Sequence, residues 1–186
     1  AYNAPHGPLQ ATEKYLKRFP NIKDKRRKTY AAMVSSIDDG VGDIVSALKE
    51  NNIYDNTIIY FLSDNGGAKS NASNNAPLNS HKGTLYEGGI RIPFVMQWPD
   101  EIKGGTIFTK PIISLDIFAT SKAIINPDLE LKNKIHGKDL LPFIKGFDNG
   151  YPHEYLYWRN NGHQPYIENG VRAVSYTHLR AHETIQ

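Results

Sequence analysis

Residues 56–67 read NTIIYFLSDNGG, and the fold follows from how this stretch is read. Residues 56–62 are a continuous run of β-branched and aromatic side chains. No polar residue alternates with the apolar ones, which is the mark of a strand buried on both faces, as in a parallel sheet with helices on either side. The run then stops at Ser63, Asp64, Asn65 and two glycines. In open α/β sheets, ligands bind in the crevice outside the carboxyl ends of the strands. An aspartate at that place has two readings. It caps a turn or the next helix, or it holds a hard cation, because carboxylate and amide oxygens suit Ca²⁺ or Mg²⁺. Gly66 and Gly67 serve both, since they let the backbone turn sharply and approach a ligand closely.

On the N-terminal side, residues 27–50 carry Tyr30, Met33, Val34, Ile37, Val41, Ile44, Val45 and Leu48 at three- and four-residue spacing. At about 100° per residue these form one apolar stripe of a helix. Asp38 lies at its edge and Asp39 points away. Adjacent helix residues do not face each other, so the two carboxylates read as surface groups and not as a joint site. The charge run KDKRRK (23–28) has no interleaved aromatic residues and reads as a solvated loop and helix start. Residues 1–10, AYNAPHGPLQ, read as a loop around His6.

On the C-terminal side, residues 66–89 form a long loop rich in Gly, Asn and Ser. Loops of this length without structure are uncommon in compact domains and are usually functional or disordered. IPFVMQW (92–98) is a second strand, closed by Pro99, and residues 112–125 mix a strand end with a helix. The order helix, strand, loop, strand, helix is α/β alternation. A Pro/Gly/Asp/Asn-rich connection spans 126–152. YLYW (155–158) and GVRAV (170–174) then read as two short strands of a smaller unit. Asn71-Ala72-Ser73 fits a glycosylation acceptor, a triplet too common by chance to carry weight. His136, His153 and His163 lie in polar segments and read as surface or loop groups. His163 stands apart because it falls between the two last strands.

The totals exclude several classes. The chain has 186 residues, 39% of them hydrophobic and 22% charged, an ordinary globular composition. Its net charge of +3 and pI near 8.9 are too weak to argue for nucleic acid and are compatible with anionic substrates. There is no cysteine, so neither a disulfide frame nor a thiolate site exists in this chain. No apolar run approaches the length needed to span a bilayer. The chain opens on Ala1 in turn-rich sequence and reads as a piece of something longer. Its last residues, from Val174, read VSYTHLRAHETIQ. His178 and His182 have the spacing of two ligands on one helix face, but the string resembles translated sequencing-library adapter, so residues 175–186 are expected to be a non-native tail.

HKGTLYEGGIRIPF (81–94) adds a lysine, Lys82, in a glycine-rich loop. Near a metal, such a lysine neutralises an anionic substrate or stabilises a leaving oxygen; an isolated one is an ordinary surface group. Taken together, APHGPLQ, AAMVSSIDDGVGDIVSALKENNIYDNTIIYFLSDNGG, HKGTLYEGGIRIPFVMQWP and SLD, in this order, resemble the sulfatase family of the alkaline-phosphatase-like superfamily. The resemblance covers about residues 2–174.

The resemblance implies a part of a mixed, mostly parallel α/β sheet flanked by helices, with the start of a small antiparallel C-terminal subdomain. Residues 1–150 would be the second half of the catalytic core and 151–174 the start of that subdomain. It also implies a parent enzyme that hydrolyses sulfate esters of a small molecule or glycan. The family uses a formylglycine nucleophile and one calcium ion. Asp64 and Asn65 match two calcium ligands. His6 matches the histidine that contacts sulfate and assists departure of the alcohol. Lys82 matches the lysine that binds a sulfate oxygen. The family's glycine-rich lead-in to that lysine is here Asn79-Ser80-His81, which makes His81 a candidate substrate contact. The family's D-x-x-P-T becomes Asp116-Ile117-Phe118-Ala119-Thr120, a change expected to alter a helix start more than chemistry.

The chain has no C/S-x-P/A-S/A-R motif, so the nucleophile and the remaining ligands are expected in a missing N-terminal half. This piece alone is expected to be inactive, with an uncovered apolar side to its sheet. A secreted or periplasmic parent is implied by the family, with no nucleic-acid partner and no membrane span. The rival readings are a phosphoesterase or phosphonate hydrolase of the same superfamily, and a non-catalytic glycan-binding relative.

Overall fold

The computed structural model describes residues 1–160 and 168–173. His163 and the stretch from Val174, with His178 and His182, lie outside the described residues. The chain forms two compact units, Ala1–Pro99 and Asp100–Gln186. The first holds α1 (Glu13–Leu16), α2 (Lys25–Glu50), β1 (Ile59–Leu62), a 3₁₀ turn (Lys69–Asn71), α3 (Glu87–Ile90) and β2 (Phe94–Gln97). The second holds α4 (Leu115–Ile125), α5 (Leu141–Ile144), β3 (Tyr155–Asn160) and β4 (Glu168–Ala173).

α2 spans the helix read from the apolar stripe. It starts where Asp24 accepts a hydrogen bond from Arg27 N, 2.6 Å away, satisfying one of the first-turn donors that have no intrahelical partner. It ends where the Asn51 amide donates to Ala47 O at 2.8 Å. Asp39 takes a two-pronged hydrogen bond from Arg18 (2.8 and 2.9 Å) and an ion pair from Lys14 at 3.0 Å. The Arg18 and Lys14 hydrogen bonds hold its carboxyl well below the usual carboxylate range. Asp39 is thus a surface ion-pair group, as read from the sequence.

The α/β class stands, but the local expectation for residues 56–62 does not. β1 pairs with β2 antiparallel, with Phe61 opposite Val95 and Ile59 opposite Gln97. An antiparallel pair is admissible in a mixed sheet. The strand is not buried on both faces: Phe61 is 42% and Val95 58% exposed. Residues 59, 61, 95 and 97 share one face because side chains alternate along a strand. Together with Val34, Ile37, Val41 and Val45 of α2 they line an open groove of about 380 Å³, with Asp38 at its margin. The α2 stripe faces this groove and does not fill it. On the other face, Tyr60 and Phe94 meet with ring centroids 6.4 Å apart. An unbroken apolar run records a strand meant to be covered on both sides, and this chain supplies only part of the cover. The expected uncovered apolar side is therefore present.

In the second unit, β3 and β4 pair antiparallel, Tyr155 opposite Ala173, as expected for the two short strands. The strand end expected before α4 is absent. His153 is corrected from a surface group to a buried one, 8% exposed, with Nε2 2.8 and 3.0 Å from the two carboxylate oxygens of Asp116. Asp116 is fully buried at the start of α4. It also accepts from Ile113 N and Lys138 N, both at 2.8 Å. Thr120, one turn later, accepts from Leu140 N at 3.0 Å. The altered D-x-x-A-T motif is thus a structural clasp that joins α4 to residues 138–140 and to His153.

Two outcomes follow. Asp116→Ala leaves two main-chain donors and His153 unpaired in the interior, and is expected to cost about 3 kcal/mol in urea unfolding of the full-length protein. A loss below about 1 kcal/mol would contradict the clasp. Residues 1–186 expressed alone are expected to enhance the fluorescence of a hydrophobic dye, and Phe61→Ser with Val95→Ser to reduce that signal. Absence of enhancement in the unsubstituted chain would mean that the groove is closed in solution.

Candidate functional site

The residues after β1 are shaped by main-chain contacts that leave no room for side chains. Gly66 N donates to Gly89 O at 3.0 Å. A Cβ on Gly66 would lie 1.8 Å from Gly88 O, and one on Gly88 would lie 2.3 Å from Ser80 O. The strand-end turn therefore packs backbone to backbone against α3, and α3 in turn against residues 79–80. Ser63 N donates to Pro93 O at 3.3 Å, and Ser63 Oγ to Asn65 O at 2.7 Å. These contacts fix the course of Asp64 and Asn65.

Asn75 completes the frame. Its Oδ1 accepts from Gly67 N at 2.8 Å, and its Nδ2 donates to Gly67 O at 2.8 Å and Ser80 O at 3.2 Å. Lys82 N donates to the same Gly67 O at 3.2 Å. Segments 63–67 and 80–82 are thus stitched to each other, which brings Lys82 to the turn that carries Asp64 and Asn65. The segment 66–89, expected as a long loop, is ordered by these bonds, by the 3₁₀ turn and by α3. Asn75 was missed in the sequence: its contacts are to main-chain atoms, and nothing in an Asn-rich loop singles it out.

His6 is tied to this region through the carbonyl of the residue before it, Pro5. Asn71, at the end of the 3₁₀ turn, donates from Nδ2 to Pro5 O at 3.2 Å. The His6 ring lies with Nδ1 2.8 Å from Gly7 O. A carbonyl oxygen can only accept, so Nδ1 carries the proton and Nε2 is the free nitrogen. His81 has the same arrangement, Nδ1 to Lys82 O at 2.8 Å, and is half-buried.

The charges at the site lack protein partners. Among the described residues, the exposed Asp64 carboxylate, the Asn65 amide and the ammonium of the half-buried Lys82 make no side-chain hydrogen bond or ion pair. Asp64 and Asn65 offer hard oxygen donors of the kind calcium takes, but calcium takes about 6–8 oxygens. No cluster of three or more His, Cys, Asp or Glu is found among the described residues. The pair therefore fits a share of a calcium site, with the other ligands to come from elsewhere. No helix of the described residues is long and apolar enough to cross a membrane.

Comparison with known proteins gives this arrangement its setting. The sulfatase family model matches residues 1–125. The uncharacterised sulfatase YdeN of Escherichia coli is 36% identical over 164 residues, covering 85% of this chain and 28% of its own length. Mouse N-acetylgalactosamine-6-sulfatase is 34% identical over 166 residues, covering 87% of this chain and 30% of its own. The crystal structure of Ps i-CgsB in complex with k-i-k-neocarrahexaose superposes with a TM-score of 0.86 at 44% identity, over 93% of this chain and 38% of that one. The chain thus spans less than two fifths of the length of these relatives. Their likeness bears out the α/β, alkaline-phosphatase-like fold expected from the sequence. With the family model over two thirds of its length and the strand-end turn, Lys82 and His6 tied into one region, this chain belongs to the sulfatase family.

Proposed function

We propose that the full-length protein hydrolyses sulfate esters of a glycan, and that this chain contributes the part of the active site that binds the anion and assists the leaving group. The observation that carries the reading is the stitched pair of segments that brings an unpaired ammonium, Lys82, to an unpaired carboxylate and amide, Asp64 and Asn65. A lysine and a hard-oxygen pair carried on two hydrogen-bonded segments, with their side chains left open, suit a metal together with an anion. A calcium ion shared by Asp64 and Asn65 would supply positive charge against the sulfate, and a formylglycine from outside this chain would supply the attacking oxygen.

The chain's own residues have distinct tasks. Lys82 Nζ donates to a sulfate oxygen and lowers the cost of bringing a nucleophile to an anion. His6 Nε2, when protonated, gives its proton to the ester oxygen as the S–O bond breaks, so that a neutral alcohol departs and a neutral imidazole remains. Nδ1–H stays on Gly7 O throughout and keeps the ring in place. His81, beside Lys82 and with Nε2 free, is a sugar or sulfate contact. The glycan class is supported by the oligosaccharide in the complex at 44% identity and by the amino-sugar sulfatase among the relatives. A sulfated glycan is met outside the cytoplasm, so the reading carries a secreted or periplasmic location with it.

The test uses the full-length enzyme. Inorganic sulfate release from a sulfated oligosaccharide is expected, with little phosphate release from the matching phosphate ester. Calcium is expected to raise the thermal midpoint of the unsubstituted enzyme and not that of Asp64→Ala. Lys82→Ala is expected to lower kcat/KM by about 10²–10³-fold. Preferred release of phosphate would favour the phosphoesterase reading, and calcium stabilisation that survives Asp64→Ala would remove the ligand assignment.

A further inference from the structure

His6 must present one nitrogen to the departing oxygen, yet it is exposed and sits on a turn segment outside any long element. What holds it is visible in the peptide unit that bears it. The Pro5–His6 peptide is gripped at both ends: Asn71 Nδ2 donates to Pro5 O at 3.2 Å, and His6 N donates to Asn3 O at 2.9 Å. The first bond spans 66 residues of sequence and fixes this peptide to the loop that follows Asp64 and Asn65. Fixing both the carbonyl and the N–H of one peptide fixes its plane, and with it the direction in which the His6 Cα projects its side chain. The Nδ1–H bond to Gly7 O then sets the ring.

Asn71 is itself held firmly. Its backbone N donates to Ala68 O at 3.4 Å. The next residue, Ala72, has φ 60° and gives its carbonyl oxygen to Arg27 Nη1 of α2 at 2.9 Å. Ser73 Oγ closes the turn on Ala68 O at 2.7 Å. The grip on Pro5 is thus anchored to the longest helix of the chain.

The other end of the Asn71 side chain is informative. Pro5 O only accepts, so the nitrogen of the amide must face it. That leaves Asn71 Oδ1 buried with no hydrogen-bond partner among the described residues. A buried acceptor without a donor costs stability, and native proteins seldom keep one without reason. Among the described residues, the one side-chain hydrogen bond of Asn71 is the one to Pro5 O. We propose that Asn71 is a positioning residue for His6, kept for the hydrogen bond that orients the Pro5–His6 peptide, and that its loss impairs proton delivery to the leaving oxygen. This inference rests on the reading of His6 as the group that assists departure of the alcohol.

The test separates that task from general structural support. A series of substituted phenyl sulfates of graded leaving-group pKa is turned over by the full-length enzyme and by Asn71→Asp, Asn71→Ala, His6→Ala and Lys82→Ala. Asp has the shape of Asn and lacks the donor. Proton delivery matters most for the poorest leaving groups. Asn71→Asp and Asn71→Ala are therefore expected to lower kcat/KM about tenfold for the poorest leaving group and less than about twofold for the best. His6→Ala steepens the same dependence further, and Lys82→Ala lowers all substrates by a similar factor. The ratio between two substrates in one preparation does not depend on the fraction of molecules folded, so partial misfolding does not imitate the effect. An Asn71 variant that lowers all substrates equally, or none, overturns the inference while leaving the His6 reading intact. A His6→Ala enzyme with an unchanged leaving-group dependence overturns the reading of His6 and this inference with it.

Discussion

The site depends on one close approach of backbone to backbone. Gly66 lies so near the carbonyl of Gly88 that any side chain at Gly66 would collide with it. Because that contact is possible, the chain leaving β1 turns onto α3 and does not run out into solvent. Because it turns there, Gly67 comes within reach of Asn75 and of the Lys82 amide. Asp64 and Asn65 are then displayed at a fixed bend beside a lysine from a segment fifteen or more positions away. The carboxylate, the amide and the ammonium need no partner within the described residues, because the frame that holds them is made by main chain and by Asn75.

Some of this was legible in the sequence, and the reason differs from element to element. α2 was read almost to its ends because its apolar stripe, Tyr30 to Leu48, repeats over about five turns. β1 was read as a strand, but its surroundings were misjudged. The run Ile58 to Leu62 records the cover that a complete fold provides. In this chain one face meets α2 across an open groove. Phe61 and Val95, opposite each other, remain exposed. The candidate site residues were picked out by motif order, which brings together positions far apart in sequence. Asn71 and Asn75 were not, since they act on main-chain atoms of Pro5, Gly67 and Ser80, and such partners carry no side-chain signature. His153 was misread as a surface group for a related reason: the carboxylate that buries it, Asp116, lies 37 residues away.

The two units divide the labour differently. In the first, polar groups near the glycine turn are left without counter-charges, while the apolar face of β1 and β2 is left without cover. In the second, the buried carboxylate is saturated by two main-chain donors and a histidine. Solvated charges left open at a strand end are available for binding. Satisfied charges in an interior hold structure together. Asp64 and Asp116 are the same residue type in opposite circumstances: the first is exposed and is the one the proposed function uses, the second is buried and holds structure.

The account stands or falls on whether the turn after β1 and the Lys82 segment form one binding centre. The most direct measurement is a crystal structure of the full-length enzyme grown with calcium and inorganic sulfate. The account predicts a cation about 2.3–2.6 Å from an oxygen of both Asp64 and Asn65. It predicts a sulfate within hydrogen-bond reach of Lys82 Nζ and of the Nε2 of His6. A cation bound away from Asp64 and Asn65, or a sulfate held by neither Lys82 nor His6, would contradict it.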